Sequence, residues 1–149
     1  MSITGQRYQL LDEAAADALL SNPDVVSLCG DRVYPFDAMI IAVDQFPTIT
    51  IETPKILPTP HNSVGAVKKD VELSVRGYVN ILDRENFTQQ RNDLAGAIEE
   101  TFIDNFTVDG NTYLTEWRGT FKKYVSTENI ALGFVEVLFA CKLEVPRFL

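Results

Sequence analysis

The run from Lys69 to Ile81 constrains this chain more than any other segment. Val71, Leu73, Val75, Val79 and Ile81 alternate with Glu72, Ser74, Arg76 and Tyr78. A period of two sorts them into an apolar and a polar face, so the run is predicted as a strand with one buried side. Such a strand needs neighbours for its backbone groups and a cover for its apolar face. Gly77 falls on that face, which marks a bulge or a close approach by the element packed above.

The cover follows directly in sequence. Asp83 offers an N-cap for a long helix over Arg84 to about Asp104, with Phe87, Leu94, Ile98 and Phe102 on one stripe, widened by Ala95 and Ala97. Asp93, Glu99 and Glu100 lie outside the stripe and read as a solvated face. An earlier helix presents Leu11, Ala15, Ala18 and Leu19 on one side, and Asn22-Pro23 stops it. Asp24 is placed to cap a short turn over Val25 to Cys29, which Gly30 ends in the left-handed conformation.

Four more extended pieces accompany this unit. Arg32 to Pro35 is short, and Phe46 to Thr53 points Ile49 and Ile51 to one side. In Thr112 to Val125, Tyr113, Trp117, Phe121 and Val125 alternate with Glu116, Arg118, Thr120 and Lys122. Ser126 to Asn129 suits a hairpin connection to Ile130–Val145. That last run carries Val135, Val137, Phe139, Cys141, Leu143 and Val145 on one face. Its other face mixes Leu132, Phe134 and Leu138 with Glu136, Lys142 and Glu144. A strand that is apolar on part of both faces is either central or covered from outside by another subunit. Phe36 to Gln45 shows no clean period. Pro54 to Lys68, with three prolines and Gly65, reads as a long irregular loop, a kind of segment that is often functional. The expected fold is α+β, one domain over residues 1–149, with a mainly antiparallel sheet and one long and one shorter helix packed on one face.

Chemistry is sparse. The 21 acidic and 13 basic residues leave a net charge of −8, which repels phosphate backbones and anionic lipid surfaces. No run approaches the roughly 18 apolar residues of a membrane helix. Cys29 and Cys141 sit in apolar stretches and read as buried thiols. His61 is the only imidazole, with no carboxylate nearer in sequence than Asp70, which is a poor ligand set for a metal. There is no GxxxxGK[ST], GxGxxG or GxSxG. No catalytic residue, metal or cofactor is expected, and no membrane contact. The candidate residues are contact residues instead: Lys55, His61, Lys68 and Lys69 in and beside the irregular segment; Arg118 and Lys122 among Trp117, Phe121 and Tyr124; and Leu132, Phe134 and Leu138 on the outer face. An aromatic and basic strand can bind single-stranded nucleic acid, but in so acidic a chain an acidic protein surface is the expected partner.

Four stretches in this order carry a family resemblance: Asn22-Pro23-Asp24-Val25-Val26 through Gly30-Asp31-Arg32-Val33-Tyr34-Pro35; Phe46-Pro47-Thr48-Ile49-Thr50-Ile51; Asp70 to Asn80 running into the Asp83 helix; and the closing strand Ile130 to Val145. The layout resembles the tail terminator, or tail completion, proteins of long-tailed bacteriophages, the lambda tail terminator family and its minor tail protein relatives. The resemblance implies a virion protein of the tail and neck, assembled in the host cytoplasm. It implies a homo-oligomeric ring, typically a hexamer, that caps the tail tube, stops its polymerisation and presents a surface to head–tail connector or neck proteins. Genomic DNA would pass through the acidic lumen without specific binding. Two other readings stay open: another neck component, such as a head–tail joining or head completion protein, and an unrelated α+β binding domain with a ligand pocket. A hydrolase using His61 would lose its activity in His61→Ala.

Overall fold

The alternation read around Val75 governs the architecture. The structure is a computed structural model that describes the backbone of residues 3–35, 45–58, 66–82, 85–103, 113–126 and 131–146, with side chains described within 11–35, 45–52, 70–82, 85–102, 116–126 and 131–141. The elements run α1 (Ile3–Leu20), α2 (Pro23–Cys29), β1 (Val33–Tyr34), β2 (Thr48–Pro58), β3 (Ala66–Asn80), α3 (Phe87–Ile103), β4 (Tyr113–Ser126) and β5 (Ala131–Pro146). They form an α+β domain around one five-stranded sheet in the order β1-β2-β3-β5-β4. The short β1 runs parallel to β2, and every other pair is antiparallel.

Register builds the core. Ile49 lies opposite Gly77 and Gly77 opposite Val135; Ile51, Val75 and Val137 form the next row, and Leu73 faces Phe139. These residues share the face that the helices cover. Helix α1 buries Leu11, Ala15 and Leu19 at helical spacing, and α3 buries Leu94, Ile98 and Phe102. The Phe102 and Phe139 rings meet with centroids 4.9 Å apart, tilted by 55°. Gly77 is the close approach: a β-carbon there would lie 2.4 Å from Leu94 Cδ2 and 2.8 Å from Leu94 Cγ. The missing side chain lets α3 settle onto the sheet.

Several local expectations are corrected. The cap of α2 is Asn22 rather than Asp24: its side-chain oxygen accepts the Asp24 N–H at 3.0 Å, and Pro23 takes the first helical position, where no N–H is needed. The same Asn22 side chain donates to the Ala97 carbonyl and to Thr101, tying α2 to α3. Gly30 follows α2 with a positive φ of 60°, but its ψ of −125° lies outside the left-handed helical region. Helix α1 begins at Ile3 and is as extended as α3, which leaves α2 as the short helix.

The irregular segment is mostly not a loop. Strand β2 continues to Pro58 and β3 begins at Ala66, with Lys55 opposite Glu72 and Pro58 opposite Lys69. The ladder shifts between Glu52 and Lys55, so Pro54 falls in an irregularity that asks no hydrogen bond of it. His61 and Asp83 lie outside the described residues.

Candidate assembly surfaces

The face of the sheet away from the helices carries a cross-strand chain of alternating charge. Glu136 on β5 is buried and sits at its centre. It accepts from Arg76 Nε at 2.8 Å, Lys123 Nζ at 2.7 Å and Ser74 Oγ at 3.1 Å. Arg76 also reaches Glu52 at 3.7 Å, so β2, β3, β5 and β4 are joined side to side. Burial alone would raise the Glu136 carboxyl, but the bonds from Lys123, Arg76 and Ser74 outweigh it and hold the group below its ordinary value. The stabilisation from a depressed carboxyl is complete above its unfolded-state pKa and disappears as pH falls through the folded one. Glu136→Gln is therefore expected to lower stability by about 1.5–3 kcal/mol near neutral pH, the range for a hydrogen bond to a charged group. The gap to wild type should narrow as pH falls below the ordinary 4.5. Urea midpoints from pH 7 to pH 3 check this, and a gap independent of pH would contradict it.

Beside this chain lies a small apolar cluster of Tyr78, Leu132 and Phe134, with Phe46 and Val125 packed against it. The Tyr78 and Phe134 rings stand 4.9 Å apart. This corrects the expectation that Leu132 and Phe134 await a neighbouring subunit: both are covered by their own chain. Leu138 is half-buried, opposite Ser74 on β3. Lys55, Lys68 and Lys69 lie on paired backbone of β2 and β3.

The exposed apolar surface lies chiefly on β4, the terminal strand of the sheet, which has a strand neighbour on one side only among the described residues. Trp117 is 56% exposed, Phe121 46% and Tyr124 63%. The ladder shifts between Trp117 and Gly119, where Gly119 takes a φ of 142°. Trp117 lies opposite Phe139, whereas Phe121 lies opposite Glu136, so the shift puts them on opposite faces of the sheet. A second shift lies between Tyr113 and Glu116, so the even alternation read from the sequence holds only from Gly119 to Ser126. Lys122 and Tyr124 stay on the helix side, opposite Val135 and Gly133. Arg118, at the shift, is exposed and lies 3.3 Å from Glu116.

Tyr124 is held from behind. The Arg91 guanidinium, buried on α3, lies 4.7 Å from the Phe87 ring centroid and 5.4 Å from that of Tyr124, and its Nη1 donates to the Tyr124 hydroxyl at 3.1 Å. Its Nε has no acceptor among the described residues. Stacking between two aromatic faces accommodates this buried cation. Nothing in the α3 pattern signalled a buried arginine.

On the other flank of α3, a groove of about 440 Å³ opens against α2. It is lined by Asp24, Ser27 and Leu28 from α2 and by Asn92, Asp93, Gly96, Ala97 and Glu100 from α3. Asp93 and Glu100, read from the sequence as a solvated face, form one wall. Among the described residues, no lysine or arginine lines it.

The thiols are where the sequence puts them. Cys29 and Cys141 are free and buried, and burial pushes both up to about 12, against a small opposing effect of Arg32 on Cys29. The thiolate is the reactive form. An aromatic disulfide reagent at pH 8 is expected to find no reactive thiol in the native protein and two after unfolding. Prompt reaction of either in native buffer would contradict the packing.

No family model matches this chain, and no curated protein sequence matches it.

Proposed function

We propose that this chain is a structural virion protein, a ring-forming tail terminator that caps a phage tail tube, stops its polymerisation and offers the surface on which the head docks. The observation that carries the reading is β4, a terminal strand with Trp117, Phe121 and Tyr124 exposed beside Arg118 and Lys122 in a chain of net charge −8. Exposed aromatics clustered on one strand mark a protein-contact surface. The α+β layout and the order of the four family-like stretches support the same reading. The partners are further copies of this chain, the tube protein and the neck proteins, with DNA passing an acidic lumen that gives it no counterions to release.

The test adds the purified protein to polymerising tail tubes and follows them by electron microscopy. Tubes should stop growing and carry extra density at one end only. Unchanged growth with bare ends would overturn the proposal. Retention on the head side instead would assign the chain to another neck component. The groove between α2 and α3 favours the alternative of an unrelated binding domain, which predicts a monomer whose Tm rises with a small cationic ligand.

A further inference from the structure

The exposed large apolar side chains among the described residues fall into separate groups. Trp117, Phe121 and Tyr124 lie on β4; Leu20 and Val26 lie at the end of α1 and on α2; Leu82 stands alone past β3. Charge divides in the same way. Arg118 and Lys122 accompany the β4 aromatics, and Asp24, Asp93 and Glu100 line the groove between α2 and α3. Helix α3 separates the two surfaces: on the β4 flank, Glu99 accepts from Thr120 and Arg91 supports Tyr124, while Asp93 and Glu100 face α2.

We infer that the β4 surface of one copy docks into the acidic α2–α3 groove of the next copy, resting on the reading that this chain assembles with itself. The two surfaces are opposite in charge, the half-buried Leu28 gives the groove an apolar patch for the β4 aromatics, and the two do not overlap, so every copy can give one and receive one. A contact of this kind is heterologous: it propagates head to tail and closes into a ring if the rotation permits. Trp117 and Tyr124 supply rigid apolar area, and Tyr124 is already fixed by Arg91. Plain strand-to-strand pairing along the β4 edge is disfavoured by the backbone irregularity at Gly119 and by Lys122 and Lys123. Docking through side chains avoids both obstacles. The second copy is the occupant because its groove is lined by Asp24, Asp93 and Glu100, acidic where the exposed Arg118 and Lys122 are basic.

Charge reversal tests it in the full-length chain. One variant carries Arg118→Glu and Lys122→Glu, and the other Asp93→Lys and Glu100→Lys. All four side chains lie at or near the surface, and unchanged thermal melting checks that both variants fold. Each alone should associate at least tenfold more weakly than wild type by light scattering, because like charges then meet at every contact. An equimolar mixture should recover association, since both mixed contacts are again attractive. Wild-type-like association by either variant alone, or a mixture of folded variants that stays monomeric, would overturn the contact without touching the ring. A wild-type protein that is monomeric at every concentration would overturn both.

Discussion

Phe139→Ala is expected to cost about 3–5 kcal/mol, the usual range for emptying a buried phenylalanine site. Phe139 is 1% exposed, packs against the tilted Phe102 ring and stands opposite Leu73 in the middle of the sheet. Its removal leaves a cavity between two long elements, and neither can close it alone: β5 is held by β3 and β4, and α3 by its contacts with α2 and the sheet. A domain of this size has roughly 5–15 kcal/mol in total, so the loss is a large share. Chemical denaturation should show a much lower midpoint with an unchanged slope. Leu138→Ala, one residue away and half-buried on the other face, should cost far less. Equal losses at both positions would contradict the face assignment of β5.

The second large effect comes from adding atoms. Gly77→Val is expected to destabilise by about 1–3 kcal/mol or more through overpacking. Its β-carbon alone would fall 2.4 Å from Leu94 Cδ2 and 3.3 Å from Ile98 Cδ1, and both side chains are fully buried. Leu94 cannot swing away without displacing its neighbours, so α3 itself must lift. Gly77→Ala combined with Leu94→Ala should cost less than the sum of the two single changes, because each relieves the other's misfit. Strict additivity would show that the two residues are not in contact. Gly133→Ala meets the Phe87 ring at 2.3 Å, but Phe87 is half-buried and its ring can move, so the penalty there should be smaller.

Much of the fold was legible because binary patterning decides it. The alternation through Val71, Leu73 and Val75 and the stripe through Leu94, Ile98 and Phe102 each match one period, and the two faces meet in the core. What escaped the sequence are events that patterning does not record. Pro54 reads as the end of a strand, yet a shift in the ladder carries β2 past it, and the apolar pair Ile56-Leu57 was the available signal. Gly119 hides a change of face inside β4; a glycine in the middle of a strand pattern was the warning. Leu132 and Phe134 looked like bare outer-face residues because their covers, Phe46 and Tyr78, come from distant positions in the chain. The candidate surfaces were half legible: Arg118 and Lys122 are exposed on β4, whereas the acidic groove needs α2 and α3 to be placed side by side before Asp24 faces Asp93 and Glu100 across it.

If copies of this chain close on themselves through two different surfaces, light scattering after size-exclusion chromatography over a hundredfold range of concentration should find one discrete species. Its mass should be a small whole multiple of 16.7 kDa, with six copies as the expected number, and no larger series. A mass of 16.7 kDa at every concentration would contradict it.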